Sequence, residues 1–120
     1  MLDFLKDAFG AEETRRFAKP DGIIGHAEVR IGGSVIMLAD ACPEFPATQA
    51  GVHLYLSEVD VIYERALRAG AVSMQLPADQ FYGDRSAVVR DEWNNWWCIA
   101  MRIEDVSDEE MHRRAQKMHG

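Results

Sequence analysis

His53 and Tyr55 stand two residues apart in VHLYLS, and Trp96, Cys98 and Arg102 fall on the same parity in WWCIAMR. On a β-strand, residues two apart share a face. One strand therefore presents an imidazole beside a phenol, and another an indole, a thiol and a guanidinium. A third series, His26, Glu28 and Arg30, alternates with Ala27, Val29 and Ile31. Imidazole is the side chain that works as base or metal ligand near neutral pH. Aromatic rings hold flat or cationic molecules by stacking and cation–π contact, each worth about 0.5–2 kcal/mol. Plainer readings stand beside these: a satisfied core histidine for His53, and simple packing for the tryptophans. Cys98 has no neighbour in sequence that would hold a thiolate, so it is not read as a nucleophile. His112 and His119 fall on a polar tail and are read as inert.

The element that must position His53 and Tyr55 lies within residues 52–70. Val52, Leu54 and Leu56 alternate with His53, Tyr55 and Ser57, giving a strand with one apolar face. Ser57 is expected to cap the helix that follows, with Glu58 and Asp60 in its first turn. Val59, Ile62, Tyr63, Ala66 and Leu67 make a helical apolar stripe, and Gly70 supplies the left-handed stop. Such a helix covers the apolar side of its own sheet and leaves His53 and Tyr55 on the opposite side.

Before this unit, Leu2, Leu5, Ala8 and Phe9 mark a short helix ended by Gly10, and residues 11–19 read weakly as a strand. Gly32-Gly33 closes a hairpin of residues 24–31 and 34–40, which pairs Ile31 with Ser34, Val29 with Ile36 and Ala27 with Leu38. Met37 then stands opposite Glu28 on the mixed face. A proline-bearing linker follows. After the central helix come strands at 71–76, ending at Pro77, at 86–90 and at 96–103, with a long loop carrying Phe81, Tyr82, Asp84 and Arg85 and a turn carrying Trp93 and Asn94. Asp84 and Arg85 are read as a structural ion pair or loop hydrogen bonds. Ser107 with Glu110 forms a capping box for a C-terminal helix over 107–118.

The chain is 120 residues long and 48% hydrophobic, enough for one domain with a real core. No apolar run suits a membrane span, and Asp3 and Asp7 stand where a secretion signal needs cations, so a cytoplasmic protein without a membrane partner is expected. The two cysteines, Cys42 and Cys98, fit reduced thiols. A net charge of −7 argues against a nucleic-acid partner and is compatible with a cationic ligand.

The two halves repeat: helix and three strands, then strand, helix and three strands. With GHAEVRIGGSVIMLAD, HLYLSEVD, DQFYGDRSAVVRD and WWCIAMRIEDVS, the chain resembles the vicinal oxygen chelate superfamily of glyoxalases, bleomycin-resistance proteins and extradiol dioxygenases, in its PhnB-like branch. The resemblance implies an α+β fold of two β-α-β-β-β modules curled around a cup, the first lacking its first strand, plus the C-terminal helix. The expected division is module one 1–41, linker 42–50, module two 51–103 and helix 107–118.

In metal-dependent members, His or Gln, Glu, His and Glu from the module strands bind a divalent ion. By that resemblance the second ligand falls near Met37, the third on His53 and the fourth on Cys98, which leaves too few hard donors; Glu28 with His53 and Cys98 is the weak remaining metal set. No cofactor is therefore expected, with a divalent metal as the alternative. The implied function is metal-independent sequestration of an aromatic or cationic small molecule by His26, Glu28, Met37, His53, Tyr55, Trp96, Cys98 and Arg102, with Phe81, Tyr82 and Trp93 at a rim. The alternative is a metal-dependent glyoxalase-like lyase, isomerase or dioxygenase using His53. The absent strand would leave the 34–40 edge open, so a homodimer is expected.

Overall fold

The computed structural model describes residues 1–119. Their order is α1 (Leu2–Phe9), β1 (Glu12–Ala18), β2 (Ile24–Ile31), β3 (Ser34–Leu38), β4 (Gly51–Tyr55), α2 (Val59–Arg68), β5 (Val72–Asp79), β6 (Asp84–Arg90), β7 (Trp96–Arg102) and α3 (Asp108–His119). The strands form an α+β pair of sheets that do not close on each other: three strands ordered β1-β2-β3 and four ordered β4-β7-β6-β5. In the second sheet only β4 runs parallel to its neighbour, β7. Among the described residues, β3 borders the first sheet with no strand on its outer side.

The hairpin pairs Ile31 with Ser34, Val29 with Ile36 and Ala27 with Leu38, as the Gly32-Gly33 turn requires. Ala27, Val29 and Ile31 are consequently buried together, while Glu28 and Arg30 stand on the other face against Met37 and Val35. In α2 the stripe holds: Val59, Tyr63 and Ala66 are buried, and Ile62 and Leu67 pack at the edge. Both sheets share one core with the two helices, where Phe4 and Phe9 of α1 meet the Trp97 ring at 6.4 and 5.1 Å between centroids.

Three local expectations are corrected. Ser57 does not cap α2; Glu58 takes that place in left-handed geometry, with no side-chain hydrogen bond to the helix. The stop is as expected, with Gly70 at φ +107° and the Ala71 N–H returning to the Ala66 carbonyl at 3.0 Å. Pro77 does not end β5, which continues to Asp79. β5 is an edge strand and its register shifts between Gln75 and Ala78, so a residue without an N–H costs no ladder bond there. Finally β6 begins at Asp84 rather than Ser86, which shortens the preceding loop to residues 80–83.

The molecule is long, 57 × 28 × 24 Å, with a radius of gyration of 16.9 Å. A compact chain of this length would have about 14 Å. The excess arises because the two sheets are joined through their helices, while their outer faces point away from the shared core. No helix among the described residues is long and apolar enough to cross a membrane.

Candidate functional site

The outer face of the second sheet carries the densest group of candidate side chains. Register sets His53 beside Cys98 and Tyr55 beside Ala100 across β4 and β7, and Val88, Ser86 and Asp84 beside Cys98, Ala100 and Arg102 across β7 and β6. The rings of His53 and Tyr55 lie 5.1 Å apart at 36°. Tyr55 reaches over β7 to donate its hydroxyl proton to Oδ2 of Asp84 at 2.7 Å. Arg102 donates from Nε to Oδ1 of the same carboxylate at 2.9 Å. Ala100 beneath this bridge is fully buried and Asp84 is 1% exposed.

Burial of a carboxylate is tolerated here because both its oxygens accept a hydrogen bond, one of them charge-assisted. The arrangement has consequences for proton affinity. The bond to Asp84, then burial, raises the Tyr55 phenol above its ordinary value. Burial, and secondarily the Asp84 charge, raises the Cys98 thiol. Cys98 is therefore not activated as a nucleophile.

The first sheet presents a second, smaller group. His26 lies 6.3 Å from the Phe17 ring and 2.9 Å from Glu28 Oε1 through its Nε2. That bond, together with Arg15 at 3.9 Å, holds Glu28 below the usual carboxylate range. Arg30 pairs with Glu12 at 3.0 Å. The acids on this face are therefore already matched by bases. Phe17 and Met37 are 60% and 66% exposed, as open to solvent as Tyr55 at 58%.

The sequence-derived set thus divides. His53, Tyr55, Trp96, Cys98 and Arg102 share the second sheet's outer face, and His26, Glu28 and Met37 the first sheet's. Phe81 and Tyr82 pack edge to face, 5.1 Å apart, in the loop before Asp84. Trp93 lies at the opposite end of β6, in its turn with β7, where with Met37 and Phe45 it lines a groove of about 960 Å³ under the linker. Glu28 does not join His53 and Cys98, since it belongs to the other sheet. Among the described residues no three His, Cys, Asp or Glu side chains converge as a metal would require. Met37 and Glu28 lie on the first sheet and His53 and Cys98 on the second, so the four positions are not gathered into one donor set.

Asp84 is the member that sequence reasoning missed. It does not pair with Arg85, which binds Asp60 through two bonds of 2.8 Å and Asp79 at 3.0 Å on the helix side of the sheet. The signal was present: stepping back equally from the turn that sets Arg90 against Trp96 brings Asp84 against Arg102.

Comparison with known proteins adds a frame to this geometry. The model of the Glyoxalase/Bleomycin resistance protein/Dioxygenase superfamily matches residues 1–99. An uncharacterized protein of Mycobacterium bovis is 35% identical over 121 residues, spanning 92% of this chain and 80% of that protein. The structure of TioX from Micromonospora sp. ML1 superposes with a TM-score of 0.68 at 26% identity, covering 85% of this chain and 87% of that one. TnmS3, an antibiotic binding protein from Streptomyces sp. CB03234, shares the fold with a TM-score of 0.64 at 21% identity, over 83% and 82% of the two chains.

Proposed function

The chain belongs to the Glyoxalase/Bleomycin resistance protein/Dioxygenase superfamily, and from that premise we propose that it is a metal-independent binder that sequesters an aromatic small molecule without breaking a bond. One observation carries the reading: each sheet turns an imidazole set beside an aromatic ring, His26 with Phe17 and His53 with Tyr55, toward solvent rather than toward its own core. Rings held in this way offer stacking area at low entropic cost, as small-molecule sites require. The fold shared with TnmS3 is one that can hold an antibiotic. Neither carboxylate of the two faces is free to act as a base, since Glu28 and Asp84 are both engaged in hydrogen bonds.

A cup needs two walls, and the two outer faces of one chain point apart. A second copy supplies the missing wall: across a two-fold axis, the first sheet of one protomer faces the second sheet of its partner. The elongated shape and the open aromatic faces favour this homodimer.

The test is a fluorescence titration. Trp96 lies at the edge of the face, so a panel of planar aromatic compounds should quench tryptophan emission saturably, at one compound per wall pair, in protein that sediments as a dimer. A monomer without saturable quenching sinks the reading. Near-stoichiometric metal in purified protein, lost in His53→Ala, would move the function to catalysis.

A further inference from the structure

We infer that the bound molecule is an aromatic anion whose carboxylate or ionised phenol is received by Arg102; this rests on the binding role proposed above and narrows its ligand class. The protein as a whole carries a charge of −7, which by itself would favour a cation. Local charge decides instead, because interactions beyond about 8 Å are largely screened at physiological salt. On the outer positions of β4, β6 and β7 there is one carboxylate, Asp84, and there are two guanidinium groups, Arg90 and Arg102. Asp84 is buried under Tyr55 and both its oxygens are occupied, so it offers nothing to a ligand. On the first sheet, Glu12 and Glu28 are each paired with a base. No outward carboxylate on these strands is left for a cation.

The guanidinium groups are not used up. Arg90 makes no ion pair among the described residues. Arg102 spends Nε on Asp84, also interacts with the Tyr55 hydroxyl, has a 3.5 Å contact from Nη1 to Asp105, a residue 99% exposed, and makes no ion pair through Nη2 among the described residues. Its side chain is 55% exposed. The buried carboxylate thus fixes one edge of the fork beside Tyr55, whose ring in turn neighbours that of His53 at 5.1 Å. A planar fork held in place by a buried partner is preorganised for an oxyanion, and the Tyr55 ring next to it, continued by His53, suits the aromatic body that carries the anion.

Three matched probes test this on the intact dimer: naphthoate, its neutral isostere naphthamide, and naphthylmethylammonium, each titrated by fluorescence and calorimetry. Naphthoate should bind about tenfold tighter than naphthamide, the worth of one charged hydrogen-bond pair, and naphthylmethylammonium should bind weakest. Arg102→Met should erase the preference for naphthoate over naphthamide. Because that change leaves Asp84 without its cation, Arg102→Lys is the second variant: it retains the charge, loses the fork, and should reduce the preference to about threefold or less. Equal binding of naphthoate and naphthamide, tighter binding of naphthylmethylammonium, or a preference that survives both variants overturns the inference and leaves the binder intact. If none of the three binds, the binding role fails, and the inference with it.

Discussion

The hydroxyl of Tyr55 donates to Asp84 at 2.7 Å although the two residues lie on β4 and β6, with β7 between them. The phenol is a strap across the sheet, and it closes over a carboxylate that is 1% exposed. Tyr55→Phe keeps the ring and removes the donor, leaving one buried oxygen unpaired. Stability should fall by about 1–3 kcal/mol, read from the urea midpoint. The strap also has an alkaline signature. Because the folded phenol titrates above its unfolded value of 10.0, its contribution is complete below pH 10 and is lost as pH rises through the folded pKa. The Phe variant should lack that alkaline loss.

Ala100 is the floor of the strap. Its side chain is fully buried between Tyr55 and Ser86, its neighbours in register. A larger residue would lift the phenol off Asp84. Ala100→Leu should therefore cost about 1–3 kcal/mol by overpacking, and should also lower the alkaline titration of Tyr55 toward that of an ordinary tyrosine. A stable variant whose Tyr55 titration is unchanged would show that the ring does not lie across β7.

What could be read from the sequence was mostly local. Gly32-Gly33 sets the β2–β3 register by itself, and Asn94 takes the left-handed turn position at φ +69° as its side chain permits. The Ser107 cap is made, its Oγ accepting from the Glu110 N–H at 3.2 Å. Apart from the Ser57 cap, which moves by one residue to Glu58, the misses depend on what lies far along the chain. Pro77 is tolerated because β5 happens to be an edge, and Arg85 ignores its neighbour Asp84 because α2 brings Asp60 to it. The outer faces carried legible candidates, but whether Asp84 and Glu12 were already neutralised depended on partners eighteen residues away on the neighbouring strand.

Asp91 holds the β6–β7 turn, and its two oxygens accept from the Trp93 and Asn95 backbone N–H groups, the Asn95 amide and the Trp97 indole. Asn95 in turn accepts from the Ala50 N–H at 2.9 Å, fastening the linker to the turn. Asp91→Ala orphans buried donors and should cost at least about 2 kcal/mol. Asp91→Asn should fare little better despite its shape, because its amide would face the indole N–H and the Asn95 amide, donor against donor. Unfolding curves of both variants, with Trp97 emission as the local probe, check this; full stability in the Asn variant would contradict it.

Glu110 ties the first turn of α3 to Arg113 and Arg114, whose hydrogen bonds hold its carboxyl down at about 2. Arg114 also donates to the Phe81 carbonyl at 3.0 Å and to Glu104 at 2.7 Å, anchoring the helix near Asp84. For a depressed acid the contribution is complete above the unfolded value of 4.5 and disappears as pH falls toward 2. The backbone chemical shifts of α3 should move toward coil across that window. In Glu110→Gln they should already be displaced at neutral pH and respond much less to acid.

Gly83 sits at φ +96°, and a Cβ there would collide with the Glu104 carbonyl oxygen and meet Val106 Cγ2 at 3.0 Å. Its own carbonyl accepts from the Ile103 and Glu104 N–H groups at 2.8 and 3.1 Å, so the loop before Asp84 is stitched to the exit of β7. The obstacle is backbone, which cannot swing aside as a side chain would. Gly22 provides the comparison: it too has positive φ, +87°, but nothing lies within 4 Å of its missing Cβ. Gly22→Ala should cost only the conformational strain, about 1 kcal/mol. Gly83→Ala should cost on the order of 3 kcal/mol and disturb the Arg102–Asp84 pair, since β7 must shift to relieve the clash. Equal unfolding midpoints for the two variants would show that the strands at this end of the site are not held together through Gly83.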